Sequence, residues 1–200
     1  MRTDRRKLMS SRELPSNYER LEYIENTSTA YINTGIDASH FDKVYCKMVR
    51  VDIVGKWDTI WGTRIESYTE ARSLIVTDSN MFWFNHGSYD RISTIPCVLG
   101  KMYETLYNNG TYTINGKTET VGSGNPQNTN PCYIFVGNTG GKPDNTYAKV
   151  KIFDLKMYKG ETIVLSLIPL KRKSDGVIGM YDLVGRKFYT SPNGVAFTGG

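Results

Sequence analysis

Between Tyr147 and Tyr189 the chain alternates apolar and polar residues with a period of two. Ala148, Val150 and Ile152 fall on one face and Lys149 and Lys151 on the other, the pattern of a half-buried strand. After Ile152 the phase inverts. Phe153, Leu155 and Met157 form the apolar set, and Asp154 and Lys156 the polar one. A strand changes its buried face only through a bulge, a sharp twist or a crossing between sheets. The stretch therefore predicts one long bent strand that serves both layers of a sandwich. Lys159-Gly160 turns the chain, and Ile163 to Ile168 is apolar except for Ser166, as in a central strand covered on both faces. Pro169 is expected to end that strand by withdrawing a ladder donor. Asp175-Gly176 turns again, Val177 to Leu183 forms another strand, and Gly185 leads into Lys187-Phe188-Tyr189.

Upstream the same period recurs in shorter pieces. Leu21, Tyr23 and then Tyr31 to Ile36 predict two short strands around a turn at Asn26 to Thr29. Val44 to Ile53 alternates throughout. Asp58 to Arg64, Ser73 to Thr77 and Met81 to Asn85 predict three more strands, with turns at Asp78-Ser79-Asn80 and Asn85-His86-Gly87. Met102 to Tyr107 leads through Asn108-Asn109-Gly110 to Thr111 to Ile114. Asn115-Gly116 is the strongest hairpin signal, because both residues tolerate the positive φ of a type I′ turn. Gly122 to Pro131 reads as an exposed loop and Cys132 to Val136 as a buried strand. About a dozen strands, no long helix and no internal repeat predict an all-β fold of two antiparallel sheets face to face.

Composition narrows the function. Two hundred residues suit one β-sandwich domain. No apolar run approaches the roughly 20 residues of a membrane span, and the N-terminal charges precede no apolar signal region. The net charge of +5 is concentrated at the start. Residues 1–13 carry Arg2, Arg5, Arg6, Lys7 and Arg12 against Asp4 and Glu13, three of the five net charges. They read as a basic leader, disordered or a short helix, ahead of a single domain over 14–200. The nearly neutral body gives no phosphate-tracking surface, so nucleic acid is not an expected partner. Lys171-Arg172-Lys173 reads as a solvated turn. Cys46, Cys97 and Cys132 have no metal-binding spacing, nor do His40 and His86 lie near them, so buried free thiols are expected.

At the N-terminal end, Leu14-Pro15-Ser16-Asn17-Tyr18 and LEYIENTSTAYINTGI (21–36) resemble the opening "LPxGYxxLEYIxSTGTQYIDTGI" of LamG-like, concanavalin A-like jelly-roll domains. AKVKIFDLKMY (148–158), IPL (168–170) and GVIGMYDLVGRKFYTSPNG (176–194) match as well. Here Asn26-Thr27-Ser28-Thr29 stands where the family has Ser-Thr-Gly-Thr. The resemblance covers nearly the whole chain after residue 13. It implies a two-sheet jelly-roll β-sandwich with its chain ends near each other, in a phage tail or virion protein or on a bacterial surface, with a role in recognition. Glycan or a cell-surface receptor is the implied partner, with a homo-oligomer or other virion proteins as the alternative. Fold by itself fixes no function.

The candidate chemistry points the same way. Retaining glycoside hydrolysis needs two carboxylates about 5–5.5 Å apart, which hydrolases of this fold present as Glu-x-Asp-x-Glu on one strand. No such spacing occurs. Glu22 and Glu25 are three apart, and Glu66 and Glu70 flank a loop. There is no Gly-x-Ser-x-Gly elbow and no phosphate-loop spacing, so no enzyme is expected. Calcium, which many relatives bind at loop edges, has only Asp78, Asn80, Asp144 and Asn145 as candidates by type, all equally suited to solvated turns. No other cofactor is expected. Sugar sites combine flat aromatic rings with polar side chains, and Trp57, Trp83, Asn85, His86 and Tyr89 are the candidates. Phe82 and Phe84 share one face of their strand and Trp83 and Asn85 the other, so one set must leave the core. Asn85 suggests the Trp83 set. Trp61 within DTIWGT reads as core, with an exposed role as the alternative.

Overall fold

The computed structural model describes residues 14–66, 70–124 and 126–200. The expected basic leader, 1–13, lies outside them, as does the centre of the loop between Glu66 and Glu70. The strands in chain order begin with β1 (Tyr18–Arg20), β2 (Ile24–Glu25), β3 (Ile32–Asp37), β4 (Lys43–Arg50), β5 (Trp57–Arg64) and β6 (Ala71–Thr77). There follow β7 (Met81–Gly87), β8 (Tyr89–Pro96), β9 (Met102–Asn108), β10 (Thr111–Ile114), β11 (Lys117–Thr120), β12 (Pro131–Ile134) and β13 (Gly137–Thr139). The last are β14 (Lys142–Pro143), β15 (Val150–Lys159), β16 (Thr162–Arg172), β17 (Ile178–Asp182), β18 (Lys187–Tyr189) and β19 (Thr198–Gly199).

They form two sheets, an all-β jelly-roll sandwich. An eleven-stranded sheet runs β11-β10-β9-β4-β15-β16-β17-β18, with β1 on β16, β2 on β15 and β19 on β2. An eight-stranded sheet runs β14-β13-β5-β6-β7-β8, with β12 joining β5 to β3. The core between them takes alternate residues from each. Val44, Cys46 and Met48 of β4 and Val150, Ile152, Leu155 and Met157 of β15 meet Ile60, Trp61, Leu74, Val76, Phe82 and Phe84. All three cysteines are free and buried, as expected. Asn115 and Gly116 both adopt positive φ and close the β10–β11 hairpin in two residues.

Two expectations about the C-terminal framework need correction. The phase inversion after Ile152 is a β-bulge within the eleven-stranded sheet, where the β4 register slips between Ile152 and Asp154. Phe153 is the extra residue and turns outward against Tyr23, with ring centroids 5.7 Å apart. The crossing between layers lies earlier, where Thr59 meets Tyr147 in a single bridge and its amide donates to the Thr146 carbonyl. Pro169 does not end its strand. It faces Met180 at a position of the β16–β17 ladder that needs no donor, and its carbonyl accepts from the Leu21 amide on the other side.

A buried ion pair supports one end of the sandwich. Arg50 Nη2 lies 2.6 Å from Asp58 Oδ2, with both side chains essentially inaccessible. Arg50 Nη1 donates to the Thr77 carbonyl and to Asn80 Oδ1, and Asp58 accepts from the Val54 and Gly55 amides. The pair thus anchors the loop after β4. Along one flank, the sheets are stitched together. Glu119 of β11 accepts from both the amide and the hydroxyl of Thr94 on β8, and Arg91 Nη1 donates to the Thr120 carbonyl.

Candidate functional site

The outer face of the eight-stranded sheet brings two tryptophans, Trp57 and Trp83, side by side. On β7, Phe82, Phe84 and His86 point into the sandwich and Met81, Trp83 and Asn85 away from it, because side chains alternate along a strand. The register sets neighbours on that outer face. Trp83 lies opposite Ile75 of β6 and Ile92 of β8, and Asn85 lies opposite Ser73 and Asp90. Trp57, at the start of β5, faces the same way across β6, and its ring lies 5.5 Å from that of Trp83 at 55°. Ile75 between them is buried although it faces outward. Trp57 remains 38% exposed and Ile92 58%. Lys56 Nζ sits 5.1 Å over the Trp57 ring.

Beside this aromatic row runs a polar one with a low floor. Gly62 of β5 pairs with Ser73 on one side and with Gly137 of β13 on the other. Neither glycine has room for a side chain. A Cβ on Gly62 would come 2.7 Å from the Ser73 Cβ, and one on Gly137 would come 2.5 Å from Asp144 Oδ2. Gly137, Gly62, Ser73, Asn85 and Asp90 form one row across the strands beside Trp83 and Ile92, a shallow trough. Its hollow over Gly62, Ser73 and Gly137 holds only about 10 Å³ and is covered at the Gly137 end by Asp144. Ser73 Oγ donates to Asn85 Oδ1 at 2.7 Å, so the group that Asn85 keeps for further bonding is its amide nitrogen, a donor. The Trp83 indole N–H has no protein partner and is shielded, so Trp83 offers its ring and not its donor.

The far end of the trough is closed by charge. Arg64 Nη2 lies 3.1 Å from Asp144 Oδ2, and Arg64 Nε donates to Thr139 Oγ1 at 2.7 Å. Asp144 also accepts from the Thr139 hydroxyl and from the amide and hydroxyl of Thr146. Its oxygens are thus committed to the protein, and Asn80 Oδ1, another calcium candidate by type, is committed to Arg50. Among the described residues no three His, Cys, Asp or Glu side chains converge as a metal site.

No protein-family model and no curated protein matches the chain.

Of the five expected ligand residues, the structure brings Trp57, Trp83 and Asn85 together on one face. His86 is corrected. β7 runs on through Gly87 where a turn was expected, so His86 keeps the inward phase of Phe82 and Phe84 and is fully buried. Its Nδ1 lies 2.9 Å from the Tyr107 hydroxyl. Burial and then the neighbouring Arg72 charge lower its pKa below the ordinary histidine value. Tyr89 also stands apart. It is 53% exposed, but its ring covers Gly122 and it takes the phase opposite to Asn85 and Asp90. Trp61 is core, as read. The sequence reading missed Ser73, Ile75 and Ile92 and the glycine floor. The alternation in ARSLIVT marks Ser73 and Ile75 as one face of β6, but only the β6–β7 register brings that face beside Trp83.

Proposed function

We propose that this chain is a non-catalytic recognition module that binds glycan on the outer face of its eight-stranded sheet, in a phage tail, virion or bacterial-surface setting. The observation that carries the reading is the pairing of an aromatic row with a glycine-floored polar row. Pyranose rings present flat C–H faces beside equatorial hydroxyls, and this surface offers the Trp57–Trp83 rings and Ile92 next to Ser73, Asn85 and Asp90. The binding surface is open, which suits a residue within a longer glycan and not a small enclosed ligand. The non-catalytic reading is supported by Asp144, whose carboxylate is held by Arg64, Thr139 and Thr146.

Calorimetry on hits from a broad glycan array tests this. Trp83→Ala should weaken binding at least about tenfold, while Tyr89→Ala leaves it unchanged. Silence across the array, or hits indifferent to Trp83→Ala, would reject the site.

A second reading, an assembly or decoration domain, is favoured by the end above the Arg50–Asp58 pair. Val51, Ile53 and Val54 of one loop and Val98 and Leu99 of the next are exposed there, with Met102 beside them. The two loops are adjacent, since the Gly100 amide donates to the Arg50 carbonyl. Exposed apolar patches of this kind mark protein contacts. A concentration-dependent oligomer abolished by Leu99→Asp would favour this reading over glycan binding.

A further inference from the structure

On the other sheet, an open strand edge lies in a groove away from the aromatic trough. The β16–β17 ladder alternates strictly. The Arg172 amide donates to the Val177 carbonyl, and the Leu183 amide donates to the Ser166 carbonyl. Counting between these two pairs along the register, Ile178 and Met180 stand at the positions whose N–H and C=O point away from β16. Pro169 opposite Met180 fits that phase, because it has no N–H to give. Met180 directs its groups to β18, where it pairs with Tyr189. The same register would pair Ile178 with Ser191, but the chain has already left the sheet. Ser191 is followed by Pro192, its carbonyl accepts from the Gly194 amide, and its hydroxyl accepts from the Tyr31 amide. The N–H and C=O of Ile178 therefore have no partner among the described residues.

They open into a groove of about 440 Å³, within the roughly 300–1,000 Å³ range of ligand clefts. Ile178, Val195, Ala196 and Phe197 supply its apolar surface, and Gly176 and Gly194, both at positive φ, turn the chain at its rims. Arg172 and Asp175 line it as a bidentate ion pair that cancels its own charge. An unpaired donor and acceptor lining the same groove as an apolar wall, in a neutral setting, match the main chain of an extended peptide carrying an apolar side chain.

We infer that this groove is a strand-addition site, in which an uncharged, extended peptide of a partner protein pairs its backbone with Ile178 and packs an apolar side chain against Val195 and Phe197. The site is independent of the glycan trough, which lies on the other sheet.

The probes are blocked peptides of threonine alternating with valine, leucine or phenylalanine, titrated into the nitrogen-15-labelled chain. Saturable shifts of the Ile178 and Val195 amides are expected with at least one of them. Methylating the central peptide nitrogen of that probe should weaken it about tenfold, the worth of one backbone hydrogen bond. Ile178→Pro removes the groove-facing N–H together with part of the apolar lining, leaves the β16 ladder, and should weaken the unmodified probe at least as much. Ala196→Trp, which fills the groove and leaves the backbone alone, should abolish binding, and Trp83→Ala should not alter it. No saturable shift at millimolar peptide, or affinity unchanged by Ala196→Trp, overturns the proposal. So does an Ile178 shift that depends on protein concentration alone, which would give the groove to a second copy of the chain.

Discussion

Removing the carboxylate of Asp58 is the sharpest test of how the loop end is held. Asp58→Asn leaves the Arg50 guanidinium, fully inaccessible, without its charge partner 2.6 Å away. The amide oxygen of the new side chain, the Thr77 carbonyl and Asn80 Oδ1 remain as acceptors, none of them charged, and Arg50 Nε already has none. Water cannot reach the orphaned charge, so the cost belongs to the class of broken buried pairs, about 3–5 kcal/mol. For a domain of this length each kcal/mol corresponds to about 2–4 °C in Tm, so a fall of roughly 6–20 °C is expected by calorimetry. Asp58 also accepts from the Val54 and Gly55 amides, so amide hydrogen exchange should accelerate there. The double variant Arg50→Met with Asp58→Leu removes both charges at similar volume and should regain most of the stability. It cannot regain slow exchange at Val54 and Gly55, because the acceptor is gone. A loss below about 1 kcal/mol for Asp58→Asn, the range of exposed pairs, would refute the reasoning. So would a double variant no better than the single.

Gly62→Ala places a Cβ 2.7 Å from the Ser73 Cβ on a packed strand pair. It should destabilise by about 1–3 kcal/mol as overpacking and abolish glycan binding by raising the trough floor; chemical denaturation and calorimetry read the two effects. Because burial and Arg72 lower the native pKa of His86, the unfolded chain takes up the proton first. Stability is then complete above the unfolded value near about 6.5 and falls as pH drops from there towards the native value. Denaturant midpoints across this window should show the slope in the wild type and lose it in His86→Gln; equal slopes would count against the buried imidazole. Burial raises all three thiols, that of Cys97 to about 12, so a thiol reagent at neutral pH should label them only after unfolding. Rapid labelling of the native protein would contradict their placement.

Much of the framework is legible in the chain because it is written locally. Asn115-Gly116 specifies its hairpin within two residues, and the alternation of Val44 to Arg50 fixes which side chains enter the core. Two kinds of feature are not local. Strand β8 has no signature in the pattern because YDRISTIP lies at a sheet edge and buries only Ser93 fully, so it carries no apolar alternation. Pro169 misled because a strand tolerates proline wherever the ladder asks for no donor, and that depends on a partner eleven residues later. The trough depends on register in the same way. Trp57 and Trp83 meet only because β5, β6 and β7 align Thr77 and Ile75 between them. His86 was misplaced by two residues of strand length, since a turn at Asn85 to Gly87 would have exposed the imidazole that the longer β7 buries.

The reach of Glu119 across the flank bears on how the molecule behaves in a crowd. β8 ends its sheet, and a naked terminal strand invites the same strand of another molecule to continue it. Here the Thr94 amide is already taken by a carboxylate from the opposite layer. Burial raises the pKa of that carboxylate, but the bonds from Thr94 and Ser93 and the Arg91 charge outweigh it and leave it lowered. Acid strong enough to protonate Glu119 would strip the guard from β8, and fibril-like stacking should begin there before the sandwich itself unfolds.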